Sequence, residues 1–228
     1  MHLSRNALSA VAAILLNMWI APQTSAQAPP QARLTIALDA AHGGNDTGAH
    51  LASGQLEKDL TLTLSVRLRS LLAARGFAVV TTREADTSVE PDKRAEIANH
   101  ARASLCLLLH ATETGTGIHL FTSGISPAPA APFPPWKTAQ SAFISKSLAL
   151  AGSLNSAFTQ SGLTVTLGSA SLPAIDSFTC PVVAIEIAPD RATGGAVTAE
   201  PDDASYDQRI DTAIIAAVLQ FTAEAHQP

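Results

Sequence analysis

The stretch "RLTIALDAAHGGNDTGAH", residues 33–50, changes character at its middle. Arg33 to Ala40 is apolar and β-branched with little alternation, the pattern of a strand buried on both faces. Ala41 to His50 is a loop rich in glycine that also carries Asp46 and two histidines. A strand buried on both faces belongs to a sheet with helices on either side, so the sequence beyond it should alternate between the two periods.

That alternation is present. "EKDLTLTLSVRLRSLLAARG" (57–76) sets Leu60, Leu64, Leu68, Leu71 and Leu72 along one helical face and stops at Gly76. "FAVVTTR" (77–83) reads as a second strand, and "EPDKRAEIANHAR" (90–102) as a helix with Pro91 in its first turn, where a missing N–H costs little. "SLCLLLH" (104–110) and "GIHLFTS" (117–123) are the third and fourth strands. The prolines of "PAPAAPFPPW" (127–136) remove donors and fix φ, so this segment is a surface loop or flap. A helix is predicted from Thr138 to Gln160, with Phe143, Leu148, Leu154 and Phe158 as its apolar residues. "LTVTL" (163–167) and "PVVAIEIA" (181–188) read as strands. A last helix starts at Ser205, where "SYDQ" has capping-box spacing, and buries Ile210, Ile214, Ala217, Val218 and Phe221. The fold class is α/β, a single domain with a mostly parallel, helix-covered central sheet.

Ahead of this domain, Arg5, the apolar stretch Ala7 to Ala21 and the small residues Ser25, Ala26 and Ala28 form the three parts of a signal peptide, read here as residues 1–26. The competing reading is an uncleaved anchor, but Asn17 interrupts a run shorter than the roughly 20 apolar residues a bilayer requires. Residues 27–32 are a linker, and 33–226 the domain. The expected location is periplasmic or secreted, with no stable membrane insertion after signal removal. A formal charge of −5 provides no basic footprint for nucleic acid. Cys106 and Cys180 could pair in an oxidising compartment. If His110 and Glu186 end neighbouring strands side by side, however, the cysteines are offset by two residues, about 7 Å at strand rise. Added to the spacing between strands this exceeds what a disulfide tolerates, so two free, buried thiols are expected.

In parallel sheets ligands bind beyond the carboxyl ends of the strands. His42 lies just past the first strand, His110 ends the third, and Glu186 is near the end of the last. A lone histidine there is more often a satisfied capping residue than a ligand; a pair, each behind a buried strand, favours a metal. Hydrolytic zinc is often held by two histidines and a carboxylate with a fourth position open. Glu57, in the first turn of the first helix, is well placed to be that carboxylate, although acids are common there for their interaction with the helix dipole alone.

"LDAAHGGNDTGAH", "EKDLTLTL", "TTREADTSVEPDKRAEIAN", "LLLHA" and "VVAIEIA" occur in the order and approximate spacing of the zinc-dependent N-acetylmuramoyl-L-alanine amidases of the amidase-3 type, which the chain resembles from about Arg33 to its last helix. The resemblance implies one catalytic Zn²⁺ held by His42, Glu57 and His110. It also implies Glu186 as the catalytic acid and base, and peptidoglycan as substrate, cut at the amide between muramic acid and L-alanine. Asp46 and Gly48 match loop-forming positions, with Asp46 and Asp39 as possible supports of the ligands; Arg83, Arg94 and Asn99 match positions read as scaffold. His50, His100 and His119 match no motif and are read as ordinary surface or core residues, and Trp136 as a sugar-stacking or covering residue. The family pattern usually has Gly at Ala41, Ser at Leu108 and Asn at Thr112, and it diverges after Glu186, where this chain reads "IAPDRATGG". An activator protein is compatible with this reading, though no motif calls for one. The competing readings are a zinc peptidase acting on wall peptides and a non-catalytic peptidoglycan-binding scaffold.

Overall fold

A computed structural model describes residues 33–129, 135–171 and 173–224. The expected signal peptide, the linker, residues 130–134 of the Pro-rich loop and the last residues of the domain lie outside the described residues. The elements follow in the order β1 (Thr35–Ala40), α1 (Glu57–Ala73), β2 (Ala78–Thr81), α2 (Pro91–His100), β3 (Leu105–Ala111) and β4 (Ile118–Ser123). After these come a 3₁₀ segment (Trp136–Ala142), α3 (Ile144–Gln160), β5 (Val165–Ala170), α4 (Pro173–Asp176), β6 (Val182–Ile187), β7 (Asp190–Arg191), β8 (Val197–Ala199) and α5 (Ala204–Glu224). No helix among the described residues is long and apolar enough to cross a membrane.

The main sheet has the order β2-β1-β3-β6-β4-β5. β2, β1, β3 and β6 are parallel, β4 runs antiparallel to β6, and β5 is parallel to β4. The sheet is therefore mostly parallel, as expected, but its direction reverses beside the strand that carries Glu186. The period-2 pleat divides the buried residues between two faces. Ile36, Leu38, Leu107, Leu109, Val183 and Ile185 join the larger core, which also takes in Leu64 and Leu68 of α1, Leu154 of α3 and Ile214 of α5. Ala37, Cys106, Leu108, Val182 and Ala184 face the smaller core with Ala95 and Ala98 of α2, Ile175 and Phe178. By the same parity Asp39, His110 and Glu186 belong to this second face, where the helical cover is thinner.

Three expectations need correction. The helix expected from Thr138 begins as the 3₁₀ segment, broken at Thr138 (φ −133°, ψ 19°), and α3 proper starts only at Ile144. Leu148 is 55% exposed, whereas its neighbour Ser147 is fully buried, bonding Gln140 Oε1 and accepting the Val182 N–H. Here a serine takes the core position because the buried partner is polar. Ser205 lies inside α5, so it does not cap it.

The third correction is the disulfide between Cys106 and Cys180. The expected register is right, since His110 pairs with Glu186 and Cys106 with Val182. β6 begins only at Val182, however, so Cys180 does not continue the strand line. The buried Gln140 amide donates to the carbonyls of Phe178 and Cys180, and Cys106 N–H donates to Pro181 O. These bonds fold the approach segment back to a Cα separation of 6.3 Å, within disulfide range.

Candidate metal and catalytic site

The loop after β1 is held by two arginines, each less than a tenth exposed. Arg83 donates to the carbonyls of Ala40 (2.9 Å) and Ala41 (3.0 Å), and Arg94 to those of Ala40 (2.6 Å) and His42 (2.7 Å). Arg94 also pairs with Asp39 at 2.8 Å, and Thr82 donates to the same carboxylate oxygen at 2.6 Å. This clamp fixes His42 at φ 61°, a left-handed conformation that costs an L-residue roughly 1–2 kcal/mol. Gly48 (φ 64°) closes the loop against the site: a Cβ there would lie 2.5 Å from Glu57 Oε2 and 2.6 Å from His42 Cδ2. Ala41 is not among the described residues with positive φ, so the family's glycine is not needed there for backbone reasons.

Glu57 opens α1 with its side chain only 6% exposed. Its Oε2 accepts the Ala49 N–H (2.8 Å) and faces His42 Nε2 (3.1 Å); its Oε1 accepts the Ala111 N–H (3.1 Å) and faces His110 Nδ1 (3.0 Å). Burial alone would raise this carboxyl, but the contacts with His110 and His42 and the Ala49 N–H outweigh it and hold Glu57 well below the usual carboxylate range. His42 is raised above the ordinary imidazole value, chiefly by Glu57; burial opposes this and Asp46 adds to it. One donor atom from each of His42, Glu57 and His110 falls within 4.8 Å of the others.

The donor chemistry fits a metal of the zinc type. His42 Nδ1 is 2.8 Å from Asp46 Oδ2, so an Nδ1–H donated to that carboxylate leaves the Nε2 lone pair facing Glu57. Two imidazole nitrogens and a carboxylate are a common zinc set, and a cation among them would replace the protons that bridge these groups in its absence. Beside His42 and His110 a cavity of about 210 Å³ is floored by Leu108 and bordered by Asp39, Ala41 and Val89.

Glu186 stands next to His110 in the parallel β3–β6 register and next to His119 in the antiparallel β4–β6 register. Its Oε2 is 2.7 Å from His119 Nδ1, and its Oε1 has no hydrogen-bond partner among the described residues. His119 is the residue that sequence reasoning missed. The signal was its place in the middle of "GIHLFTS", but its meaning depends on the strand reversal, which no motif announces. The remaining singled-out residues lie elsewhere. His50 is exposed and within 3.4 Å of Thr47, and His100 is 78% exposed beside Glu96. Asn99 bonds Ser177 and Thr179, tying α2 to the approach to β6. Trp136 opens the 3₁₀ segment and is 40% exposed.

Several known proteins share this arrangement of elements. The catalytic domain of CwlV from Bacillus (Paenibacillus) polymyxa var. colistinus superposes with a TM-score of 0.65 at 22% identity, covering 83% of this chain and 98% of that one. Ami1 from Mycobacterium smegmatis gives 0.66 at 19% identity over 84% and 97%. In sequence, the germination-specific N-acetylmuramoyl-L-alanine amidase of Bacillus subtilis (strain 168) is 36% identical over 89 residues, 33% of this chain and 37% of that protein. AmiA of Escherichia coli (strain K12) is 38% identical over 76 residues, 33% of this chain and 26% of its own length. The chain thus spans about a third or less of the curated relatives it matches. The family model for N-acetylmuramoyl-L-alanine amidases of the Amidase_3 type matches residues 36–220, nearly the whole described domain, and the chain belongs to that family.

Proposed function

We propose that the chain is an exported, zinc-dependent peptidoglycan hydrolase that cleaves the amide between N-acetylmuramic acid and the L-alanine of the stem peptide. The observation that carries this reading is the convergence of His42, Glu57 and His110 within 4.8 Å, with Glu186 in register beside His110. His42, Glu57 and His110 would hold one Zn²⁺. When bound, the ion supplies Lewis acidity, which polarises a carbonyl and acidifies water.

The protein's own side chains account for the proton traffic. Glu57 stays ionised and fixed by two backbone N–H groups, and Asp46 orients His42. Glu186 Oε1, which has no hydrogen-bond partner among the described residues, takes a proton from the attacking water and returns it to the alanine nitrogen as the C–N bond breaks. The products are a lactyl carboxylate and an α-ammonium group: water supplies the oxygen, and both of its protons end on the alanine nitrogen, so atoms and charge balance. Export is supported by the signal-like residues 1–26 and by the Cys106–Cys180 disulfide, a bond that persists in oxidising compartments. Both a periplasmic and a secreted location agree with this. The CwlD amidase of Clostridioides difficile is known in complex with the GerS lipoprotein, and a protein partner is part of the reading proposed for this chain.

The test is digestion of purified peptidoglycan by the chain without residues 1–26. The expected result is release of stem peptides with a new L-alanine amino terminus, abolished by a chelator and restored by zinc. Shorter peptides alone would point to a wall peptidase, and no release with zinc bound would point to a scaffold.

A further inference from the structure

We propose that His119 is a positioning residue for Glu186: it donates Nδ1–H to Oε2 and so reserves Oε1 as the oxygen that carries the proton. This rests on the amidase reading above. An ionised carboxylate can only accept, so the 2.7 Å contact requires the proton on His119 Nδ1. The two residues are direct partners in the antiparallel β4–β6 register, and their side chains therefore leave the sheet on the same face.

The imidazole is held rather than free to rotate. Its side chain is 16% exposed, and it meets the Phe121 ring edge to face, with centroids 6.5 Å apart and planes at 81°. On another side it fills the space left by Gly115 (φ 84°), where a Cβ would lie 2.4 Å from His119 Cε1. Gly115 is itself anchored, because Arg191 Nε donates to its carbonyl at 3.1 Å. Arg191 belongs to β7, within the "PDRATGG" segment in which the chain departs from the family pattern after Glu186. The departure therefore supports the partner of Glu186, through Arg191, Gly115 and His119 in turn. A rigid donor on one oxygen removes the rotational freedom a partly exposed glutamate would otherwise have, and supports of this kind commonly contribute about 10- to 100-fold to activity.

The test uses the zinc-loaded protein and a soluble muramoyl-L-alanyl peptide. His119→Leu should lower kcat by about 10- to 100-fold, with KM and zinc content little changed. His119→Asn, whose amide nitrogen occupies the place of Nδ1, should recover most of the loss. Added to Glu186→Gln, His119→Leu should cost nothing further, because its effect runs through Glu186. A second readout does not need turnover: the ¹⁵N-resolved NMR spectrum should show a hydrogen-bonded His119 Nδ1–H that is lost in Glu186→Ala. Wild-type kcat in His119→Leu, an equal loss in both backgrounds, loss of zinc, or absence of the Nδ1–H signal would overturn the proposal. An inactive wild-type protein with the signal intact would count against the amidase reading alone.

Discussion

Glu57 and Glu186 are two carboxylates on either side of His110, and their surroundings are opposite. Glu57 is 6% exposed, and its oxygens meet two backbone N–H groups and two imidazole nitrogens. Glu186 is 32% exposed, with a hydrogen bond to His119 on one oxygen and none on the other among the described residues. A carboxylate held by several donors stays charged and stationary, which suits the ligand role proposed for Glu57. One with a free oxygen can take up a proton and give it back. The sheet sets this difference: Glu57 enters from a helix over the closed parallel half, and Glu186 sits where the strands reverse and the cover opens.

Crossed substitutions test this contrast most directly. Glu186→Gln should keep the metal and lose about 10²- to 10⁴-fold in turnover, the usual contribution of general acid–base work. Glu57→Gln should fail to retain metal through gel filtration, because a neutral amide leaves the two imidazoles without their charged partner. Metal loss from Glu186→Gln, or full retention by Glu57→Gln, would remove the division of labour between them.

The disulfide sits at the far end of the two strands that carry His110 and Glu186. Closing a separation of 74 residues, it should contribute about 4 kcal/mol to stability by the loop-entropy relation. Replacing Cys106 and Cys180 by alanine should lower the unfolding free energy by about that much, read from a denaturant titration, while leaving metal binding and turnover intact below the transition. A specific loss of turnover in the folded variant would mean that the β3–β6 register depends on the crosslink. A smaller effect is expected on the ligand side alone: Asp46→Ala should weaken metal affinity by about 10- to 100-fold through loss of the His42 Nδ1 partner, and leave kcat at saturating metal nearly unchanged.

Which of these features the sequence could reveal follows from their physics. Strands buried on both faces and helices with apolar faces produce periodic signals, so β1, α1, α2, β3 and β6 lie where the patterns predict them. The convergence of His42, Glu57 and His110 was legible because strand ends and a helix start are positions a parallel sheet assigns in advance. His119 was not, because its neighbour depends on one strand running antiparallel, which local pattern does not encode. Cys180 misled for a related reason: the offset along the strand was right, but Gln140, some forty residues earlier in the chain, bends the approach. Ser147 and Leu148 exchange their expected places because a buried hydroxyl with two partners is as well satisfied as a leucine would be.

The smallest effect concerns the alanine before His42. A glycine there in related sequences suggests a backbone position that forbids a Cβ, which would make Ala41 a source of strain and of weakened activity. The conformational burden lies one residue later, at His42, with φ 61°, and the carbonyls on either side are fixed by Arg83 and Arg94. Ala41 is 3% exposed, and its carbonyl also accepts the Thr61 hydroxyl at 3.0 Å. Ala41→Gly should therefore relieve nothing. It should leave turnover within about two-fold and lower stability by roughly 0.5–1 kcal/mol, the cost of glycine's extra freedom in the unfolded chain. A several-fold gain in activity would show that the Cβ of Ala41 obstructs the cavity beside His42 and His110. Unchanged turnover with slightly lower stability would show that the arginine clamp, rather than a flexible residue, sets the geometry of this loop.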